Sequence, residues 1–213
     1  MKKRIVLGIV AALAVSTSIA CASPVEMEQG KWNANVGVMF SPDLDLENNY
    51  GYGTKDSGDT SIYGGVTYGI TDKWGVQVDY SHYKTGDAFE TDKLDATEFN
   101  VLYKLNDNVN VFAGYVYAGM NATVEGYDFG GMHTDGFQAG LTGWYPLGDK
   151  FKTFGKVGLG NNSRVYEIGF SYAIADDWDV DLSYRNAEYK DLGDAMEWDF
   201  EYDGVRLGVS TSF

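Results

Sequence analysis

From Lys31 to the C-terminus, apolar and polar residues alternate with a period of two. Successive side chains of a strand point to opposite faces of a sheet, whereas one face of a helix recurs every 3.6 residues. Lys31–Phe40 shows the pattern: Trp32, Ala34, Val36, Val38 and Phe40 are apolar, and the residues between them are polar or small except Met39. It returns in Ile62–Ile70, Trp74–His82, Thr97–Leu105, Val109–Tyr117, Phe137–Tyr145, Phe151–Leu159, Tyr166–Ile174, Trp178–Tyr184 and Val205–Phe213. These segments predict ten strands of about nine to eleven residues, which is the length a tilted strand needs to cross a bilayer.

Short and long connections alternate. Thr71–Lys73, Asn106–Asn108, Pro146–Lys150 and Ala175–Asp177 are rich in turn residues. Ser41–Ser61, Thr85–Ala96, Ala118–Gly136 and Asn186–Gly204 predict long loops on the opposite rim. Asn161–Ser163 is the exception, a three-residue connection on the long-loop side, and it is where the count could fall from ten strands to eight. A weak repeat supports the strand–turn–strand reading: Tyr68–Tyr80 matches Tyr172–Tyr184 around Asp72-Lys73-Trp74 and Asp176-Asp177-Trp178.

The N-terminus has the makings of a targeting segment. Lys2-Lys3-Arg4 precede the apolar run Ile5–Val15, and Ala20-Cys21-Ala22 fits a small-x-small cleavage site. The expectation is a signal peptide over 1–22, a mature start at Ser23 and a short periplasmic segment over 23–30. Lipidation of Cys21 is the alternative, although Ser18 stands where a bulky aliphatic is usual. Three of the 16 basic residues lie in the leader, so the remainder carries 13 bases against 31 acids. That balance excludes nucleic acid as a partner, because phosphate binding needs a basic patch. One Cys and two His leave little material for a metal site or a disulfide framework.

The alternation assigns two faces. None of the apolar-parity positions is Asp, Glu, Lys or Arg. The opposite parity carries Lys31, Asp79, Glu98, Lys104, Lys152, Lys156, Glu167, Asp179, Asp181, Arg185 and Arg206, the expected charged lining of a lumen. A secreted lipocalin or sandwich would turn the apolar face inward instead. Aromatic placement separates the two readings. Trp32, Tyr68, Trp74, Tyr103, Tyr145, Phe151, Tyr172, Trp178 and Phe213 cluster at the short-turn ends. Phe40, Tyr80, Phe99, Tyr117, Phe137, Tyr166 and Tyr184 lie near the long-loop ends, with aliphatic and small residues between. Two aromatic girdles around an aliphatic band suit membrane interfaces.

The chain ends in Val205-Arg-Leu-Gly-Val-Ser-Thr-Ser-Phe213. This strand resembles the C-terminal assembly signal of bacterial outer-membrane proteins, with Arg206, Gly208 and Phe213 matching and Thr211 departing from the usual hydrophobic. Over 31–213 the chain resembles the small outer-membrane β-barrels of the OmpA, OmpX and OmpW type. The resemblance implies an all-β, antiparallel, up-and-down transmembrane barrel, without the periplasmic domain that OmpA-type proteins often carry. It also implies outer-membrane lipid, lipopolysaccharide and the barrel assembly machinery as partners, and no cofactor.

For function, two classes stand out. The first is a non-enzymatic structural or surface-interaction protein with a lumen closed by paired charges. The second is a small, cation-preferring diffusion channel. Inward Tyr63, Tyr83, Phe112, Trp144 and Phe154 fill space, whereas Gly37, Gly65, Gly69, Gly75, Gly114, Gly140, Gly158 and Gly208 leave some. The long loops are acidic and are candidates for divalent cations, with Asp43-Leu-Asp-Leu-Glu47 lacking the glycine and spacing of an EF-hand. An outer-membrane enzyme would need a rim histidine at a carboxylate or hydroxyl. His82 and His133, the latter near Asp135, are the only candidates, and neither accompanies a nucleophile motif.

Overall fold

The computed structural model describes residues 27–51, 53–84, 93–124, 127–193 and 197–213, and for 54, 56, 122–124 and 127–130 the backbone alone. The leader, Cys21 and Asp194 lie outside the described residues. The chain forms β1 (Trp32–Asn48), β2 (Gly53–Ser57), β3 (Ser61–Gly69), β4 (Trp74–Lys84), β5 (Lys93–Asn106), β6 (Val109–Val124), β7 (Tyr127–Pro146), β8 (Phe151–Gly160), β9 (Ser163–Ala175), β10 (Trp178–Leu192) and β11 (Trp198–Ser212). From β3 to β11 neighbours in sequence pair antiparallel, β1 pairs antiparallel with both β2 and β3, and β11 closes back onto β1. β2 and β3 are two pieces of one wall position: β3 pairs with Trp32–Met39 of β1, and β2 pairs with Asp43–Glu47. The result is a closed, ten-stranded, up-and-down barrel. The connection at Asn161-Asn162 is a tight hairpin between β8 and β9, so the count stays at ten.

The predicted long loops are largely strand. β1 runs on to Asn48, β6 and β7 continue to Val124 and from Tyr127, β10 reaches Leu192, and β11 begins at Trp198. At about 3.4 Å per residue, the twenty residues of β7 far exceed the roughly 25 Å apolar band of an outer-membrane barrel. The wall therefore stands well clear of the membrane on the long-connection side.

The reason lies in the side chains. Along β11 the outward Val205 and Leu207 are exposed, the outward Val209 is half-buried, and all three are apolar, whereas the inward Arg206 and Ser210 are buried and polar. Beyond Gly204 the faces exchange character: Phe200 and Tyr202 point inward, buried, and Asp199, Glu201 and Asp203 point outward. β10 does the same, with Arg185 followed inward by Ala187 and Tyr189. In β1 the change coincides with a bulge. The register with β11 slips between Phe40 and Asp43, and Ser41 adopts a left-handed φ of 35°. Bulges bend a strand and increase its twist, and here β1 leaves β3 for β2.

Candidate functional site

The lumen has three levels. Across its middle runs a chain of alternating charges. Lys156 Nζ donates to Asp79 at 3.0 Å and to Glu98 at 2.7 Å. Glu98 also accepts from Arg185, and Arg185 Nη1 donates to Glu167 at 3.2 Å. Arg206 Nη1 lies 3.8 Å from the same Glu167, and Arg206 Nη2 donates to Ser81 and Tyr83 at 3.0 and 2.8 Å. Three acids and three bases so neutralise one another in a space where an unpaired charge would be costly. Gln138 Nε2 adds a hydrogen bond to Glu98 at 3.2 Å, and a second ion pair, Lys152–Asp179 at 3.3 Å, sits nearer the short-turn rim.

Above the charges the lumen is apolar. Met39, Leu44, Tyr83, Leu94, Ala96, Val116, Ala118, Met120, Val165, Ala187, Tyr189, Leu192, Phe200 and Tyr202 form one buried cluster. The Tyr83 and Tyr202 rings lie against each other, tilted by 36° with centroids 3.6 Å apart, and share a hydroxyl–hydroxyl hydrogen bond. Below the charges, the segment before β1 turns into the barrel mouth. Gly30 N donates to Gly69 O at 2.8 Å, and Met27 is buried against Leu102 and Phe112. Of residues 27–30, part of the segment read from the sequence as periplasmic, Met27 is therefore inside the barrel mouth and Glu28, Gln29 and Gly30 are exposed.

The inward glycines leave less room than the sequence suggests. A Cβ on Gly37 would lie 2.6 Å from the Tyr63 ring, which also covers Gly208, and a Cβ on Gly140 would lie 2.5 Å from Phe112. Glycine in a strand marks close approach of another group, and here inward rings lie across the bare backbone. Arg206 in turn stacks 4.2 Å above the Tyr63 ring.

The outer wall carries the girdles. At the short-turn end Trp32–Tyr68, Trp74–Tyr103 and Phe151–Tyr172 face each other across neighbouring strands, with centroids 4.7 to 4.8 Å apart. Tyr145, Trp178 and Phe213 also face outward, and Phe213 N is tied to Trp32 O at 2.9 Å. At the other end the tyrosine hydroxyls of Tyr80, Tyr115 and Tyr184 donate to Asp95, Asp135 and Asp203 one step further out.

Above that girdle the outward face is an acidic ladder. Asp43 stands opposite Asp203, Asp45 opposite Glu201, and Glu47 opposite Asp199. Glu188 faces Glu201 from the other side. Like charges directly opposite each other destabilise a sheet. The middle row is closed at both ends by cations, Lys55 on Asp45 and Arg164 on Glu188 at 3.4 Å. Hydrogen bonds from Lys190 to Glu188 and Asp199 hold its ammonium above the usual lysine range. Asp43-Leu-Asp-Leu-Glu47 is strand, not loop, so its carboxylates project from every second residue along one face. No group of three or more metal-ligating side chains forms among the described residues.

Residues 9–213 match the family model described as the outer membrane protein beta-barrel domain. The chain belongs to that family. Among solved structures, the outer membrane protease OmpT from Escherichia coli aligns over 90% of this chain and 99% of its own, with 10% identity and a TM-score of 0.59. Neisserial surface protein A aligns over 87% and 100%, with 16% identity and a TM-score of 0.50. The translocator domain of the autotransporter NalP from Neisseria meningitidis aligns over 100% and 95%, at 12% and 0.50. No curated protein matches. At these identities the likeness is one of fold, and membership of the family places the protein in the bacterial outer membrane.

Of the charged residues singled out from sequence, Asp79, Glu98, Lys152, Lys156, Glu167, Asp179, Asp181, Arg185 and Arg206 point into the barrel. Asp181 accepts from Ser171. Lys104 is half-buried at the rim beside Asp107, at 3.1 Å. Lys31 precedes β1 and is exposed. Sequence reading missed Met27 and the apolar cluster. The signal for the latter was present as continued alternation with the faces exchanged. His82 Nδ1 lies 2.8 Å from Asp95 on the outer wall, and His133 is exposed and stacks on Tyr117.

Proposed function

We propose that this family member is a non-enzymatic, closed barrel whose work is done at its outer surface. The observation that carries this reading is the apolar cluster across the outer half of the lumen, which puts Tyr83, Tyr189 and Tyr202 where a solute would have to pass. Met27, Leu102 and Phe112 narrow the other mouth. A leader cleaved before Ser23 would deliver the chain for export, and the strand ending at Phe213 would be read by the assembly machinery.

The partners follow from charge. The acidic ladder stands just beyond the outer girdle, level with lipopolysaccharide head groups. Its facing carboxylates would draw divalent cations, which in turn bridge lipopolysaccharide phosphates. The channel reading is supported by the polar middle of the lumen, but it requires the apolar cluster to part. The enzyme reading is supported by His82 at Asp95. Among the described contacts Tyr80 is the hydroxyl beside that pair, and no nucleophile completes it.

Planar-bilayer recording of the refolded mature chain tests the reading. Silence from a barrel whose gel migration shifts on heating supports closure. Steady, cation-selective steps would make it a small channel.

A further inference from the structure

Part of what closes the short-turn mouth lies outside the wall. Glu28–Lys31 form a reverse turn: Lys31 N donates to Glu28 O at 3.1 Å, and Gly30, at the third position, has a left-handed φ of 79°. Glycine is favoured where a turn needs that conformation. The turn sends the chain back from β1 across the mouth. Gln29 N donates to Asp72 Oδ1 on the β3–β4 turn at 3.3 Å, and Gly30 N donates to Gly69 O at 2.8 Å. Met27 reaches inward and is buried against Leu102 and Phe112.

The wall carries a seat for this segment. Gly69 of β3 and Gly75 of β4 stand opposite each other in the register, and both are buried. A Cβ on Gly69 would run into the Glu28 backbone, which supplies all three of its nearest atoms. A Cβ on Gly75 would lie 2.6 Å from Met27 Sδ and 3.4 Å from Met27 Cγ. The space left by two missing side chains is thus taken by residues 27 and 28. One step further in along the same faces stand Thr67 and Gln77, both buried and both lining a polar chamber of about 100 Å³. The segment therefore lies directly below the β3–β4 side of that chamber.

The two closures of the lumen differ in kind. The outer one is made of side chains rooted in β1, β4, β5, β6, β9, β10 and β11, and it parts only if strands move. The inner one hangs from a single glycine turn and is held by a few backbone hydrogen bonds and one buried side chain. Segments with few buried apolar contacts open locally, at far less cost than global unfolding. We infer that residues 27–30 are a releasable plug, seated on Gly69 and Gly75, whose release opens the polar chamber to the short-turn side alone. The inference deepens the closed-barrel reading and rests on it.

Cysteine labelling tests it. A mature chain starting at Ser23 lacks Cys21, the one cysteine of the sequence, so Thr67→Cys places a single thiol on the chamber side of the seat. The refolded barrel in detergent micelles is treated with a small, water-soluble methanethiosulfonate. With Gly69 in place the thiol should react slowly. Adding Gly69→Ala should speed the reaction at least about tenfold, because the thiol loses the protection of a docked segment. Heat-modifiable gel migration checks that the variant is folded. Met27→Gly, which alters no wall residue, carries the same expectation should Gly69→Ala fail to fold. Fast labelling with Gly69 and Met27 both in place would show an open mouth and overturn the inference. Labelling that stays slow in both plug variants would show that this segment does not control the mouth, and would overturn it too. Planar-bilayer recording separates the plug from the closed-barrel reading. The Gly69→Ala barrel should stay silent, because the outer cluster is intact. Conductance steps from it, with the unaltered barrel silent, would support the plug and overturn the closed outer end.

Discussion

The two halves of this barrel use the same alternation to opposite ends. In the membrane half, the outward face is apolar and the inward face holds Asp79, Glu98, Lys156, Arg185 and Arg206. In the outer half, the inward face is the apolar cluster around Tyr83 and Tyr202, and the outward face is the ladder of Asp and Glu. Each half places its apolar side chains away from water. In the membrane that means toward lipid, and above it toward the barrel axis. The lesson is that the wall can run without a break through a change of solvent, provided the faces exchange character at the interface. The outer girdle, the β1 bulge at Ser41 and the tyrosine–aspartate pairs mark that level.

The sharpest way to break the membrane half is from inside. Glu98→Gln should cost about 3–5 kcal/mol, because it leaves Lys156 and Arg185 buried without their shared carboxylate. Urea unfolding in lipid vesicles would read it. From outside, Val78→Lys at an outward position of β4 should cost about 2–4 kcal/mol if it lies near the midplane. Unchanged folding into vesicles would mean that lipid does not touch this face. In the outer half the sensitive face is the other one. Leu94→Ala, fully buried beneath the lip, should cost at least about 2 kcal/mol by leaving a cavity. The smallest effect belongs to the exposed rung: Lys55→Ala should leave the urea midpoint almost unchanged, and the more so at high salt, although it frees Asp45. A larger loss would mean that Lys55 is needed to offset the repulsion within the ladder.

Much of the barrel was legible because lipid imposes a strict rule on one face. Val205, Leu207 and Val209 announce a membrane strand, and the aromatic ends announce its depth. The same rule hid the outer half. A reading that follows the lipid-facing apolar parity stops at Val205, because at Asp203 the outward residue becomes acidic. Trp198–Gly204 then looks like an acidic loop, though Phe200 and Tyr202 keep the period of two. The charged lining could be assigned to the inside by parity, but its pairing could not. Lys156 meets Glu98 58 positions away, and only the register of the closed sheet brings them together. Met27 had no periodic neighbour to reveal it.

Single-cysteine scanning along β11 addresses the exchange of faces most directly. Cysteines would be placed one at a time from position 199 to 209 of the refolded barrel in vesicles and treated with a water-soluble maleimide. Positions 199, 201 and 203 should react quickly, and 200 and 202 should be protected by the apolar cluster. Positions 205, 207 and 209 should be shielded by lipid. Rapid labelling at 200 and 202, equal to that at 199 and 201, would show an open outer lumen and contradict the account.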